Sequence, residues 1–183
     1  IEQVADAVRR VWTRSGTQQG TPVHNVVRCE RANPDAQQCA APRGDAVVHQ
    51  CESTRSRSKV TVTPRPDGGV TAIADLTPVY RDNPALQSWQ RRIDFGGRKL
   101  LVRDDFRLGA GTRAIFQVNV PERPVVQGNE ATAGRLRIRV LEPADATLRV
   151  HTWSDDDPQE FRRGWRVDVA GGQDGYTVEL SEK

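Results

Sequence analysis

The chain has 183 residues, a nearly balanced charge and little continuous apolar sequence. It carries 27 Lys and Arg against 24 Asp and Glu, for a formal net charge of +3 at pH 7, and hydrophobic residues make up 36%. The apolar runs span only a few residues, far short of the ~20 needed to cross a bilayer, so we exclude a transmembrane helix. The length suits one β domain with a substantial core better than two very small domains.

The basic residues are almost all arginine, since only Lys59, Lys99 and Lys183 are lysine. Arginine forks bind carboxylates and sulfates in a bidentate manner, which fits an acidic glycan and also fits nucleic acid. The arginine codons of a GC-rich genome explain the same composition without any partner. Composition therefore permits an anionic partner without requiring one, and we predict no nucleic-acid partner.

The chain begins at Ile1, contains no methionine and shows no signal peptide. We therefore expect a piece of a longer protein, whose export signal would lie upstream. Cys29, Cys39 and Cys51 allow three pairings and always leave one thiol over. In an exported protein one disulfide, from Cys29 to Cys39 or Cys51, is reasonable, whereas in a reducing compartment all three would be buried thiols.

Helical periodicity is confined to residues 3–14, where Val4, Ala7, Val8, Val11 and Trp12 form one apolar stripe. This pattern predicts a short amphipathic helix, and we assign residues 1–20 to a helix and linker that come from an upstream domain. Residues 21–183 then form one domain of short alternating runs. The predicted strands are 23–29, 46–53, 58–64, 69–76, 89–95, 98–106, 113–120, 134–141, 146–153, 163–169 and 175–181.

Turn residues separate these strands, as in Pro66-Asp67-Gly68-Gly69, Gly96-Gly97, Gln127-Gly128-Asn129 and Gly171-Gly172. About eleven short strands at this spacing predict an all-β fold, an antiparallel β-sandwich with one short N-terminal helix.

Within this pattern, residues 73–106 resemble the C-terminal β-sandwich domain of heparinase II/III-like polysaccharide lyases. That family has a strand ending in an Asp-x-[Ser/Thr]-x-x-Tyr turn, then an Arg-bearing strand and a Val-x-Asp-x-Phe strand. Here the three parts are Asp75-Leu76-Thr77-Pro78-Val79-Tyr80, Trp89-Gln90-Arg91-Arg92 and Val102-Arg103-Asp104-Asp105-Phe106. The resemblance covers residues 20–182 and is strongest over 70–143.

The run His24-Asn25-Val26-Val27 is similar to a His-Asn-Thr-Val run that opens this domain in the family. The resemblance implies that His24 and Asn25 bind the uronate sugar or help to neutralise its carboxylate. A histidine that only orders a strand end is the alternative. Trp153, next to the acidic run Ser154–Pro158, is the tryptophan that we expect to be exposed and able to stack on a sugar ring.

Some family members hold a structural zinc in this domain through two histidines and an aspartate. The corresponding candidates here are His24, Asp45 and His49, because Asp45 and His49 lie on the same face of a predicted strand. No histidine precedes Asp75 on its strand, which departs from the family's pattern. The sequence therefore leaves open either this zinc site or no cofactor.

Other residues fit structural roles. We predict that Tyr80 is scaffold, that Trp165 packs in the core, and that Arg92 pairs with Asp104 across a hairpin.

No phosphate-binding loop, nucleophile elbow or paired-cysteine metal motif occurs in the sequence. The resemblance places the catalytic base and acid in an N-terminal (α/α) toroid of the same parent chain. It thus implies one wall of a cleft for an acidic polysaccharide such as a glycosaminoglycan or alginate, in a bacterial periplasmic or secreted lyase, and little catalysis by this segment alone. The alternatives are a non-catalytic carbohydrate-binding module and a structural interdomain scaffold.

Overall fold

The computed structural model describes residues 27–31, 58–80, 83–152 and 164–183. These residues form two antiparallel sheets, which confirms the predicted all-β sandwich. The predicted helix 3–14, the strand 46–53 and the boundary at residue 20 lie outside the described residues. The described strands are β1 (Val27–Arg31), β2 (Lys59–Pro64), β3 (Val70–Asp75), β4 (Leu86–Gly96), β5 (Lys99–Leu108), β6 (Thr112–Val120), β7 (Val125–Gln127), β8 (Glu130–Ala133), β9 (Leu136–Glu142), β10 (Thr147–Thr152), β11 (Trp165–Ala170) and β12 (Gly175–Glu182).

The two sheets differ in size within the described part of the chain. The four-stranded sheet has the order β1-β6-β11-β10, and the eight-stranded sheet has the order β2-β3-β4-β5-β12-β9-β8-β7. Alternate residues of each strand point to the shared core, as the pleat requires. The four-stranded sheet contributes the buried side chains of Val27, Cys29, Phe116, Val118, Val167 and Val169, and the eight-stranded sheet contributes those of Trp89, Val102, Ile138, Val140 and Val178.

The eight-stranded sheet leaves part of its core-facing side uncovered at the β2 end. Val60 and Val62 are 62% and 61% exposed, and Val70 and Phe95 also lie open to solvent. Strand register places these four side chains on the same face as the buried Val102. We call Val60, Val62, Val70 and Phe95 the apolar strip.

The Asp75 turn has the predicted scaffold role. The Thr77 N–H donates to Asp75 Oδ1 at 3.1 Å, and residues Thr77–Tyr80 form a single 3-10 turn. The Trp89 N–H donates to Thr77 Oγ1 at 2.9 Å, and the buried Tyr80 ring packs 5.6 Å from the Trp89 ring. The motif thus ties the end of β3 to the start of β4.

The largest differences from the predicted strands are at β4, at β7 and β8, and at β9. Strand β4 begins at Leu86 and not at residue 89, because an irregular register between Leu86 and Ser88 breaks the alternation. Strands β7 and β8 were not predicted, since each is only three or four residues long. Strand β9 begins at Leu136 and not at residue 134, because Gly134 has a positive φ of 56° and forms the turn.

The predicted pair of Arg92 with Asp104 is wrong by one residue. Register places Arg91 opposite Asp104 and Arg92 opposite Arg103. A shift of one residue moves a side chain to the other face of a sheet, so Arg91 points to the core and Arg92 to solvent. Arg92 pairs instead with Asp94, at 2.8 Å.

Arg91 and Asp104 form a buried ion pair that also involves an indole. Asp104 is fully buried and accepts from Arg91 Nε at 2.7 Å, from Arg91 Nη2 at 2.8 Å and from Trp89 Nε1 at 2.6 Å. The Arg91 guanidinium lies 5.3 Å from the Trp89 ring and 5.8 Å from the ring of Phe116 in the opposite sheet. The pair therefore connects both sheets.

We expect Arg91→Gln to lower the free energy of unfolding by about 3 kcal/mol, because it leaves a buried carboxylate without its cation. The neighbouring Arg92→Gln removes an exposed pair and should leave stability close to that of the unmodified chain. Urea unfolding of both variants measures the difference. Equal effects, or a larger effect of Arg92→Gln, would contradict the register.

The buried Cys29 thiol and Tyr176 hydroxyl make the stability of the core sensitive to high pH. Burial raises the pKa of Cys29 from 9.0 to about 12, and the Asp104 and Glu30 carboxylates add to this. Burial likewise raises the pKa of Tyr176 from 10.0 to about 12. The Tyr176 hydroxyl donates to the Ala114 carbonyl at 2.8 Å. The Cys29 thiol is free in the part of the chain that the structure describes.

Both groups favour the neutral form in the folded state, so their stabilisation is complete below about pH 9 and is lost between pH 9 and pH 12. We predict that the free energy of unfolding falls steeply over this range. Because Cys29→Ala removes one of the two groups, it should make the fall shallower, measured by urea unfolding at a series of pH values. An unchanged slope would contradict the assignment.

Candidate functional site

The outer side of the four-stranded sheet carries charged side chains that are buried. Residues that alternate with its core valines point away from the core, and most of these are polar, with Ile115 and Ala170 as apolar exceptions. We call this group the polar face. Its members are Arg28 and Glu30 on β1, Gln117 on β6, Arg166 and Asp168 on β11, and His151 on β10.

Arg28 joins three strands of this face. Its Nε donates to Glu30 Oε1 at 2.8 Å, its Nη1 donates to Gln117 Oε1, and its Nη2 donates to Asp168 Oδ2 at 2.8 Å. The Arg28 side chain is only 6% exposed. A planar guanidinium can make these three bonds at once because its donors lie in a fixed fork.

Asp168 is the common acceptor of the polar face. Besides Arg28, it accepts from Arg166 Nε, at 2.7 Å from Oδ1. The Nε2 atom of His151 lies 3.4 Å from Asp168 Oδ2. These contacts bring together residues 28, 151 and 168 from strands β1, β10 and β11.

The arginines keep the buried carboxylates ionised. Burial alone would raise the pKa of Asp168, but the hydrogen bonds from Arg28 and Arg166 outweigh it and hold the pKa below its ordinary value. Glu30 shows the same balance. Burial raises its pKa, but the hydrogen bonds from Arg28 and Arg113 lower it further than burial raises it. The pKa of Arg28 is raised despite its burial, because Asp168 and Glu30 stabilise the cation.

His151 is the accessible member of this network. Its side chain is 40% exposed, whereas that of Asp168 is 8% exposed. A carboxylate beside one ring nitrogen orients an imidazole and leaves the other nitrogen for a ligand. The arrangement can therefore present an oriented imidazole at the β10 edge of the described sheet.

The predicted glycan-binding residues His24, Asn25 and Trp153 lie outside the described residues. The predicted zinc ligands Asp45 and His49 do so as well, and all these roles stay predictions. Among the described residues, no group of three or more His, Cys, Asp or Glu side chains could hold a metal ion. His151, the remaining histidine of the chain, and Asp75 lie on β10 and β3 of different sheets.

Sequence reasoning missed the polar face. Its signal was present in Arg166 and Asp168, which alternate with Val167 and Val169, and in Arg28, which lies between Val27 and Cys29. Alternation shows that such residues face away from the core. It does not show that β1, β6 and β11 are neighbours, which depends on the strand order.

The tryptophans that the structure describes are not arranged as a sugar-binding row. Trp89 is buried in the core. Trp165 is half-buried and packs against the core, as predicted, with the Arg123 guanidinium 5.4 Å from its ring.

Comparison with solved structures finds similar chains, among them the heparan sulfate lyase HepC from Pedobacter heparinus and a mutant of it. The TM-scores are 0.58 and 0.57, with 14% sequence identity in both cases. The fold of this chain is similar to the fold of one part of that lyase. The match covers 97% of this chain and 26% of the HepC chain.

At this identity the likeness concerns the fold alone. No protein-family model matches the chain, and no curated protein matches its sequence. In the described residues, no helix is long and apolar enough to span a membrane.

We predict that Arg28→Lys destabilises the chain by about 3 kcal/mol, because one ammonium cannot replace a fork that bonds Glu30, Gln117 and Asp168. Arg113→Lys is the matched control, since Arg113 bonds the same Glu30 but is 76% exposed. Its unfolding free energy should stay close to that of the unmodified chain. Urea unfolding compares the two, and equal losses would contradict a special role for the polar face.

Proposed function

We propose that this chain is the β-sandwich domain of a heparinase II/III-like polysaccharide lyase and forms one wall of the cleft for an acidic, uronate-containing glycan. The observation that carries the proposal is the fold match, which includes nearly all of this chain and about a quarter of HepC. The remaining part of the parent would supply an N-terminal (α/α) toroid. The parent would be exported, to the periplasm or beyond.

Cleavage of a uronate polymer by β-elimination needs three things: neutralisation of the carboxylate, a base for the C5 proton and an acid for the leaving oxygen. No tyrosine of this chain is accessible enough to act as the general acid. Its only two tyrosines, Tyr80 and Tyr176, are each 1% exposed. Their burial supports a division of labour in which the toroid carries the base and the acid.

The predicted glycan contacts adjoin the polar face in sequence. His24 and Asn25 come just before β1, and Trp153 directly follows β10. Strands β1 and β10 are the two outer strands of the described four-stranded sheet. We propose that these three residues contact the glycan, with His24 and Asn25 near its carboxylate.

An independent carbohydrate-binding module has less support. Such modules commonly present exposed aromatic rings, whereas the described tryptophans pack inward. The apolar strip, in contrast, favours a neighbouring domain, because contiguous exposed apolar side chains mark interaction surfaces. This feature fits both the cleft wall and the alternative of an interdomain scaffold.

The proposal predicts that the isolated chain binds heparin, heparan sulfate or alginate more tightly than a neutral polymer at moderate salt. His24→Ala should weaken that binding about tenfold, the size expected for loss of one charge-assisted hydrogen bond. Titration calorimetry at two salt concentrations measures this. Gln90→Ala, an exposed change on the eight-stranded sheet, serves as the control.

Equal binding to acidic and neutral polymers, or no effect of His24→Ala, would contradict the glycan-facing wall. Absence of binding to every polymer would exclude an independent module and favour the scaffold alternative.

A further inference from the structure

Arg149 is an exposed arginine that forms no ion pair within the described part of the chain. It lies on β10, two residues before His151, so both side chains emerge on the same face of the strand. The register of β10 with β11 is regular from Thr147 to Thr152, without a bulge that would turn either residue. Alternate Cα atoms of a strand are about 6.6 Å apart, which one sugar ring can span.

The position of Arg149 would ordinarily give it a salt bridge. Its direct cross-strand partner is Asp168, and opposite charges in such positions usually pair. Among the described residues, however, Asp168 is held by Arg28 and Arg166 and lies beside His151. Arg149 makes no hydrogen bond or ion pair with any residue that the structure describes.

The occupied carboxylate therefore leaves the Arg149 guanidinium unpaired at this edge, beside the ring of His151. Asp168 lies 3.4 Å from His151 Nε2 and makes no bond to Arg149, and the charges of Arg28 and Arg166 are matched by Asp168 and Glu30. A guanidinium without a carboxylate partner, next to an oriented imidazole, forms a site for a planar or tetrahedral anion.

We infer that the Arg149 guanidinium fork binds an acidic group of the glycan, a carboxylate or a sulfate, with the His151 ring beside the bound group. The inference rests on the proposed function for the identity of the ligand, since it assumes that the exposed β10 edge of this sheet meets an acidic polysaccharide. It assigns a contact on β10, at the edge of the sheet opposite to β1.

The test uses small anions and polymers in parallel on the 183-residue chain. Sodium glucuronate and sodium sulfate are titrated separately while NMR follows the Arg149 Nε–H and His151 ring signals. Heparin and alginate binding is then measured for Arg149→Gln, His151→Gln and Arg103→Gln. Arg103 is the matched control, since it is exposed on β5 of the other sheet and has no partner among the described residues.

We expect glucuronate or sulfate to shift both signals, and Arg149→Gln to weaken polymer binding about tenfold while Arg103→Gln does not. A response to glucuronate alone would identify a carboxylate, and one to sulfate alone a sulfate. The inference is overturned if neither anion shifts the signals, or if Arg103→Gln weakens binding as much as Arg149→Gln.

The two proposals fail separately. If His24→Ala abolishes polymer binding and Arg149→Gln leaves it unchanged, the cleft wall stands and the Arg149 contact is wrong. If the anions shift Arg149 and His151 but no polymer binds, the anion site stands and the cleft wall does not. Thermal melting of each variant checks that these surface changes leave the fold intact.

Discussion

The buried pair of Arg91 and Asp104 constrains the rest of the sandwich. A charge without water is costly, so Asp104 is tolerated only with the Arg91 fork and the Trp89 indole both in place. These three residues fix the register of β4 on β5, because a slip of one position would turn them to solvent. The Arg91 guanidinium also meets the Phe116 ring, which sets the four-stranded sheet against the eight-stranded one. The position of β6 then determines which of its residues face outward.

The four-stranded sheet consequently has charge buried on both of its sides. On β6, Phe116 meets Arg91 in the core while the next residue, Gln117, accepts from Arg28 on the outer side. On β1, the Asp104 carboxylate across the core contributes to the raised pKa of the Cys29 thiol, after burial itself. The adjacent Arg28 donates a hydrogen bond to Asp168 on the other face. The outer face of a sandwich usually meets water, where such charges need no fixed partners. The polar face instead holds Arg28 and Asp168 buried, with fixed partners.

Sequence patterns predicted the strands themselves better than they predicted which strands and residues lie next to each other. Alternation located ten of the strands that the structure describes, and the Asp75 turn has the contacts expected of it. It failed for β7 and β8, which are too short to show a period. The prediction also paired Arg92, and not Arg91, with Asp104, although Arg91 alternates with Trp89 and Ile93, which pack in the core. The polar face was beyond sequence reasoning, since Arg28 and Asp168 meet across 140 residues only through the order β1-β6-β11.

The distribution of polarity in this sandwich fits the proposed function as one part of a larger lyase. A domain that works alone buries apolar side chains and leaves charges in water, and its exposed apolar patches are small. Here the opposite occurs in two places, with Arg28 and Asp168 buried on one sheet and the apolar strip uncovered on the other. Neither feature improves the stability of an isolated domain, because one requires desolvation of charges and the other leaves apolar surface hydrated. Both are useful if other parts of a parent protein meet the two sheets, as a cleft wall beside a catalytic domain requires. Under the proposed function, the buried tyrosines fit a division in which this chain positions the glycan and its neighbour transfers the protons.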